Sequence, residues 1–146
     1  MICYLDTSAL VKLYVEEEGS AQVREYVGKA LLVATSKVAY AEARAAFARC
    51  RREGLLSESA YRKVVANLDA DWPSYYILEL TDAVVREAGE LAERRALRGF
   101  DSVHLSSVLI LSKGLAGESC LEKLVVGCWD KRLAAALRSL GVSVFP

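Results

Sequence analysis

The sequence of 146 residues fits one compact domain spanning 1–146, and 53% hydrophobic residues supply a sizeable core and exclude intrinsic disorder. The longest purely apolar stretches, such as 30–34 and 108–111, fall far short of the ~20 residues that cross a bilayer, so no membrane span is expected. Nineteen basic residues balance nineteen acidic ones, which excludes coating nucleic acid by bulk charge but leaves it open as a substrate held by a local basic rim or by metal ions.

In chain order, Ile2 to Leu5 is a short apolar run readable as a buried strand ending at Asp6. Ser8 to Val15 then reads as a helix capped by Thr7 or Ser8, and Ser20 to Ala30 as an amphipathic helix. Leu31 to Ala34 is a second strand. Thr35 and Ser36 open a long helix that Gly54 stops, and Ser57 opens another that Trp72-Pro73 ends. Tyr75 to Leu80 is a strand candidate, followed by a helix capped at Thr81-Asp82 that runs to Leu97. Gly99 breaks the chain, and Asp101 starts a helix that runs to Lys113. Leu124 to Trp129 is an apolar strand, Asp130 opens a helix to Leu140, and Val142 to Phe145 is the last strand. Short apolar strands alternating with helices predict an α/β fold with a mostly parallel sheet covered on both faces. The ligand site of such a sheet lies beyond the carboxyl ends of its strands.

Two carboxylates stand at that edge. Asp6 and Asp130 each end an apolar strand and precede a helix, so each reads either as a helix cap or as part of a site. Glu42 has Val38, Ala39, Ala45 and Ala46 three and four residues away, so it projects from an apolar stripe. A lone carboxylate there needs a proton, a partner or a cation, and an arginine salt bridge is the structural alternative. Asp101 opens a strongly apolar helix, again as a cap or as a site residue. Converging to within about 5 Å, each like-charge pair among the four would cost roughly 3 kcal/mol at an effective dielectric of ~20. Such a cluster must be partly protonated or filled with hard divalent cations, Mg²⁺ or Mn²⁺, which can activate water against a phosphodiester.

The segments Tyr4-Leu5-Asp6-Thr7-Ser8, Tyr40-Ala41-Glu42-Ala43-Arg44, Asp101-Ser102-Val103-His104-Leu105 and Asp130-Lys131-Arg132-Leu133 together resemble PIN-domain ribonucleases. Their order and the chain length resemble the VapC-type toxins of toxin–antitoxin pairs. The resemblance covers essentially the whole chain. It implies a three-layer α/β/α sandwich, Mg²⁺- or Mn²⁺-dependent RNA cleavage, and Asp6, Glu42, Asp101 and Asp130 as catalytic and metal-binding residues. It also implies a homodimer and an antitoxin whose tail occludes the cleft. Two positions depart from the family pattern: Cys128 stands where Thr or Ser is common two residues before the last aspartate, and the loop from Lys113 to Lys123 looks long.

Ser8 reads equally as a hydroxyl steadying the site or as an ordinary helix-start residue. His104, among Val103, Leu105 and Val108, reads as a satisfied, partly buried histidine rather than a general base. Lys12, Arg44, Lys131 and Arg132 are candidates for holding RNA phosphates, whereas Arg49, Arg51, Arg52, Arg94, Arg95 and Arg98 read as solvated helix faces. Trp72 and Trp129 read as packing residues. Four cysteines without a C-x-x-C and a single histidine give no zinc spacing, and the cysteines read as buried thiols reduced in a cytosol. No export signal is visible, so a cytoplasmic protein is expected. Neither glycine-rich phosphate cradle is present. An aspartyl phosphotransferase would want a second acid where Ser8 stands. The alternatives to a toxin are a catalytically silent RNA- or protein-binding module and a housekeeping RNA-processing nuclease on the same fold.

Overall fold

A computed structural model describes residues 1–117 and 123–146. Five strands, β1 (Ile2–Leu5), β2 (Leu32–Ser36), β3 (Tyr76–Leu78), β4 (Leu124–Gly127) and β5 (Ser143–Phe145), form one sheet in the order β3-β2-β1-β4-β5. Every pairing is parallel. Seven helices connect and cover it: α1 (Thr7–Tyr14), α2 (Ser20–Lys29), α3 (Val38–Arg52), α4 (Glu58–Asp71), α5 (Asp82–Arg95), α6 (Gly99–Gly117) and α7 (Lys131–Ser139). A single 3₁₀ turn at Trp72–Ser74 holds Pro73 where its missing N–H costs nothing.

The central strand shows how sequence becomes layers. All four residues of β1 are buried, and alternate side chains enter opposite cores. Ile2 and Tyr4 pack with Leu105, Val108, Leu133 and Leu137 under α6 and α7. Cys3 and Leu5 pack with Leu10, Ala43, Phe47 and Leu68 under α1, α3 and α4. The expected three-layer α/β/α arrangement is the one observed, with two cores separated by a parallel sheet.

The sheet order reverses at its centre, where β1 sends its connection toward β2 on one side while β4 lies on the other. In a parallel sheet that reversal opens a crevice beyond the carboxyl ends of the two strands. Leu5 lies opposite Gly127, and the Asp6 N–H donates to the Gly127 carbonyl at 3.1 Å, so both strands end at the same level. Gly127 permits a close approach of layers, since a Cβ there would lie 2.8 Å from Phe145 Cζ and 3.0 Å from Ala9 Cβ.

Several boundaries differ from the sequence expectation. Thr35 and Ser36 belong to β2, where they pair with Ile77 and Leu78, and the buried Thr35 hydroxyl donates to the Leu5 carbonyl at 2.7 Å. That tertiary bond uses the hydroxyl that reads as a helix start, and α3 begins at Val38. Strand β3 is confined to three residues at the sheet edge, and β4 ends at Gly127, before Trp129. Helix α5 ends with Ala96 in the left-handed region at φ 51°, and Gly99 begins α6 rather than breaking the chain. Helix α6 also takes up 113–117 of the segment expected to be a loop; 118–122 of that segment, including Cys120, lie outside the described residues.

Candidate active site

Each carboxylate is delivered by a local rule of folding. Asp6 caps α1, its Oδ1 accepting from the Ala9 N–H at 2.8 Å, and it is only 3% exposed. Asp130 caps α7, its Oδ1 accepting from the Arg132 and Leu133 N–H groups, both at 2.9 Å. Capping and the site are therefore not alternatives at these positions. Asp101 is different: it lies inside the first turn of α6 and caps nothing among the described residues. Glu42 comes from the middle of α3. The four side chains line one cleft of about 680 Å³ at the carboxyl edge of the sheet, with Thr7, Ser8, Lys12 and His104.

The supporting contacts fix two of these carboxylates firmly. Ser8 Oγ donates to Asp6 Oδ1 at 2.7 Å and accepts from the Trp129 N–H at 2.8 Å, tying the end of β1 to the chain beyond β4. Of its two readings, Ser8 takes the one that steadies a carboxylate. Glu42 is not paired with an arginine. Its Oε2 accepts from the Thr7 hydroxyl and lies 3.1 Å from His104 Nε2. On the other side of the imidazole, Nδ1 is 2.8 Å from the Tyr4 hydroxyl. Burial holds the Tyr4 phenol protonated far above its ordinary range; in the tautomer in which that phenol donates to Nδ1, the Nε2–H is directed at Glu42. His104 is 3% exposed and its two nitrogens are satisfied, as expected of a buried histidine. Burial raises the Glu42 pKa, but the His104 and Thr7 hydrogen bonds outweigh it and hold the carboxyl below the usual range.

Asp101 is shifted the other way. Burial pushes its pKa up first and the neighbouring Asp130 adds to it; Arg98 and His104 oppose, and Glu42 adds further repulsion. Among the described residues, no lysine or arginine forms an ion pair with Asp6, Glu42, Asp101 or Asp130. In Glu42 and Asp130 one oxygen is anchored by the protein, while the other has no hydrogen bond among the described residues. An anionic, oxygen-only donor set with free lone pairs and no lysine or arginine ion pair suits a hard divalent cation. The set is open rather than tight: among the described residues no three carboxylate, thiol or imidazole groups already close around a single point.

Of the four candidate cations, one lines the cleft. Lys12 lies in the cleft wall, buried, with Nζ 2.9 Å from Glu17 and 5.0 Å from the centre of the Trp129 ring. Arg44 does not reach the cleft. It is two residues beyond Glu42, about 200° around the helix, where it donates to the Tyr40 hydroxyl at 2.7 Å and lies over that ring. Lys131 and Arg132 are exposed on the first turn of α7, and Arg132 lines a separate hollow with Arg95 and Ser139. With Lys12, the cationic wall is formed by Arg49, Arg52 and Arg98. A signal for Arg49 was present, because Glu42, Ala45, Ala46 and Arg49 follow the spacing of one helix face. Arg98 stands three residues before Asp101 across the start of α6.

The cysteines mostly behave as expected. Cys3 and Cys128 are buried free thiols, burial raising Cys3 to about 12 and Cys128 further, whereas Cys50 is half-buried and lines the cleft. Cys128 donates to the Asp130 carbonyl at 3.4 Å, so at this position the thiol takes a hydroxyl-like role in the turn that carries the last aspartate. Trp72 packs edge-on against Tyr40 and Tyr75, and Trp129 against Phe145, as packing residues do.

Comparison with known proteins agrees with this architecture. Residues 3–113 match the PIN domain family. Over 149 aligned positions the chain is 37% identical to Ribonuclease VapC45 of Mycobacterium tuberculosis (strain CDC 1551 / Oshkosh), covering 99% of this chain and 95% of that one. The chain belongs to the PIN-domain family, among its VapC ribonucleases. Two solved structures share the fold at low identity. FitAcB from Neisseria gonorrhoeae superposes with a TM-score of 0.69 at 18% identity, covering 100% of this chain and 97% of that one. A toxin–antitoxin complex from Klebsiella pneumoniae gives 0.57 at 12% identity, covering 84% and 83%.

Proposed function

We propose that this protein is a divalent-metal-dependent endoribonuclease, the toxin of a toxin–antitoxin pair, folded as one PIN-like domain over 1–146 and acting in the cytoplasm. The observation that carries the reading is the meeting of Asp6, Glu42, Asp101 and Asp130, from four separate segments, in one cleft without a neutralising lysine or arginine ion pair. In this reading those four residues hold one or two Mg²⁺ or Mn²⁺ ions. A divalent ion bound there supplies Lewis-acid activation of water and neutralises charge developing on the phosphodiester. The chain's own residues prepare the site: Ser8 fixes Asp6, while Thr7 and the Tyr4–His104 pair orient Glu42 and keep it ionised. Lys12, Arg49, Arg52 and Arg98 hold substrate phosphates along the cleft walls. The partners of this reading are RNA, a second copy of the chain and an antitoxin. Support for the antitoxin comes from membership among the VapC ribonucleases and from the fold shared with the Klebsiella pneumoniae complex.

Cleavage of total cellular RNA by the purified protein in Mn²⁺, Mg²⁺ or EDTA tests the proposal. Discrete fragments that require metal and vanish in Asp6→Asn and Asp101→Asn are expected. Cleavage that persists in both variants would place the chemistry elsewhere. Metal-independent binding of RNA without cleavage would favour a silent module.

A further inference from the structure

Phe100 stands out among the side chains around the cleft. It is 57% exposed, whereas Ser102 to Val108 beyond it in α6 are all buried. It lies one helical turn before His104 and next to Asp101, so its ring stands on the cleft side of the helix. Among the described residues, other exposed large apolar side chains such as Leu31 and Leu55 lie outside the cleft. Beside the ring is a second hollow, lined by Glu42, Arg98, Gly99, Phe100 and Asp101. Its edge at Gly99 is open, since a Cβ there would meet nothing within 4 Å.

An exposed aromatic face, an open glycine edge and a guanidinium beside the carboxylates form a combination that neither folding nor metal binding requires. A nucleobase splayed from a single strand meets each element: its flat face stacks on the ring, and its phosphate meets Arg98. We infer that Phe100 and Arg98 form a nucleobase subsite, holding the base of a nucleotide next to the scissile phosphate. The inference rests on the ribonuclease reading. Stacking on one aromatic face is tolerant of base identity, so the subsite fixes the position of the strand relative to Asp101 rather than its sequence. An apolar side chain of a protein partner is the competing occupant; the nucleobase is favoured because the ring adjoins Arg98, a phosphate ligand in the ribonuclease reading, in one hollow with Asp101.

The test uses an oligoribonucleotide spanning a bond that the wild-type protein cuts, with kcat and KM measured for Phe100→Ala, Phe100→Leu and Phe100→Trp. Because the ring is more than half exposed, all three variants should melt close to wild type. Phe100→Ala is expected to raise KM roughly five- to a hundredfold, the range of one lost base–aromatic stack, with a smaller effect on kcat. Phe100→Leu should behave like Phe100→Ala, and Phe100→Trp should retain near-wild-type KM. Replacing one nucleotide beside the cut by an abasic residue should abolish the difference between wild type and Phe100→Ala. Unchanged KM in Phe100→Ala, or full rescue by Phe100→Leu, would overturn the subsite while leaving the ribonuclease intact. A wild-type protein that cuts no RNA would overturn both.

Discussion

Asp101 is the carboxylate with least support from the protein, and its protonation should contribute to how the metal-free fold responds to pH. Its pKa is raised in the folded state, by burial and then by Asp130. The stability this contributes is fully present below the unfolded carboxylate range and is lost as pH rises through the raised folded value. In chelator at neutral pH, Asp101→Asn should therefore melt higher than wild type. The difference should shrink toward zero as pH falls through the carboxylate range, and thermal melts from pH 3 to 8 would show it. Ser8→Ala should act in the opposite direction. It removes a donor to Asp6 and leaves the Trp129 N–H without its acceptor, so a loss of ~1–3 kcal/mol in denaturant unfolding is expected. At this scale the sequence was readable where a residue's neighbours dictate its environment. Glu42 was legible in part: Val38 and Ala39 are buried as the helix spacing implies, but Ala45 is exposed and Ala46 half-buried in the cleft wall. The carboxylate therefore stands at the edge of the buried stripe, facing the cleft. Its partner was not readable, because His104 is 62 residues distant and arrives only when α6 packs on the sheet.

Among the elements, the two central strands and the helices after them do most to define the site, and Gly127 sets how closely they approach. A Cβ at Gly127 would meet Phe145, whose ring stacks on Tyr26 at 3.8 Å and edges Trp129, so it has little room to yield. Gly127→Ala should cost ~1–3 kcal/mol, as overpacking of a closed core does, and should lower metal-dependent cleavage as well by shifting the turn that carries Asp130. Equilibrium unfolding and an activity assay on the same preparation would check both. Helix α3 makes a separate prediction. Arg49 faces the cleft and Arg44 faces α4, so Arg49→Ala should reduce the salt dependence of single-stranded RNA binding by ~0.7 in log–log slope, while Arg44→Ala leaves it unchanged. The expected strand and helix types were legible throughout the described chain, because parallel strands buried on both faces leave dense apolar runs. Boundaries failed where a tertiary bond overrode a local signal, as when the Thr35 hydroxyl turned to the Leu5 carbonyl instead of capping α3.

In the whole molecule, the sheet reversal between β1 and β4 gathers residues more than 120 positions apart, and the acidic cleft is its product. The sequence disclosed Asp6 and Asp130 because each follows a strand at a predictable edge, and Glu42 and Asp101 because each stands in an apolar helix. It did not disclose which arginines face them, since that depends on how α3 and α6 are set across the crevice. If Asp6, Glu42, Asp101 and Asp130 form one cation site, thermal melting against a Mn²⁺ titration reports its occupancy. Binding to the folded state alone stabilises by about 2.7 kcal/mol at a hundredfold excess over Kd, a shift of several degrees here. Wild type should show that rise, and Asp6→Asn, Glu42→Gln, Asp101→Asn and Asp130→Asn should each weaken or abolish it. Equal stabilisation of wild type and all four variants by Mn²⁺ would contradict the account.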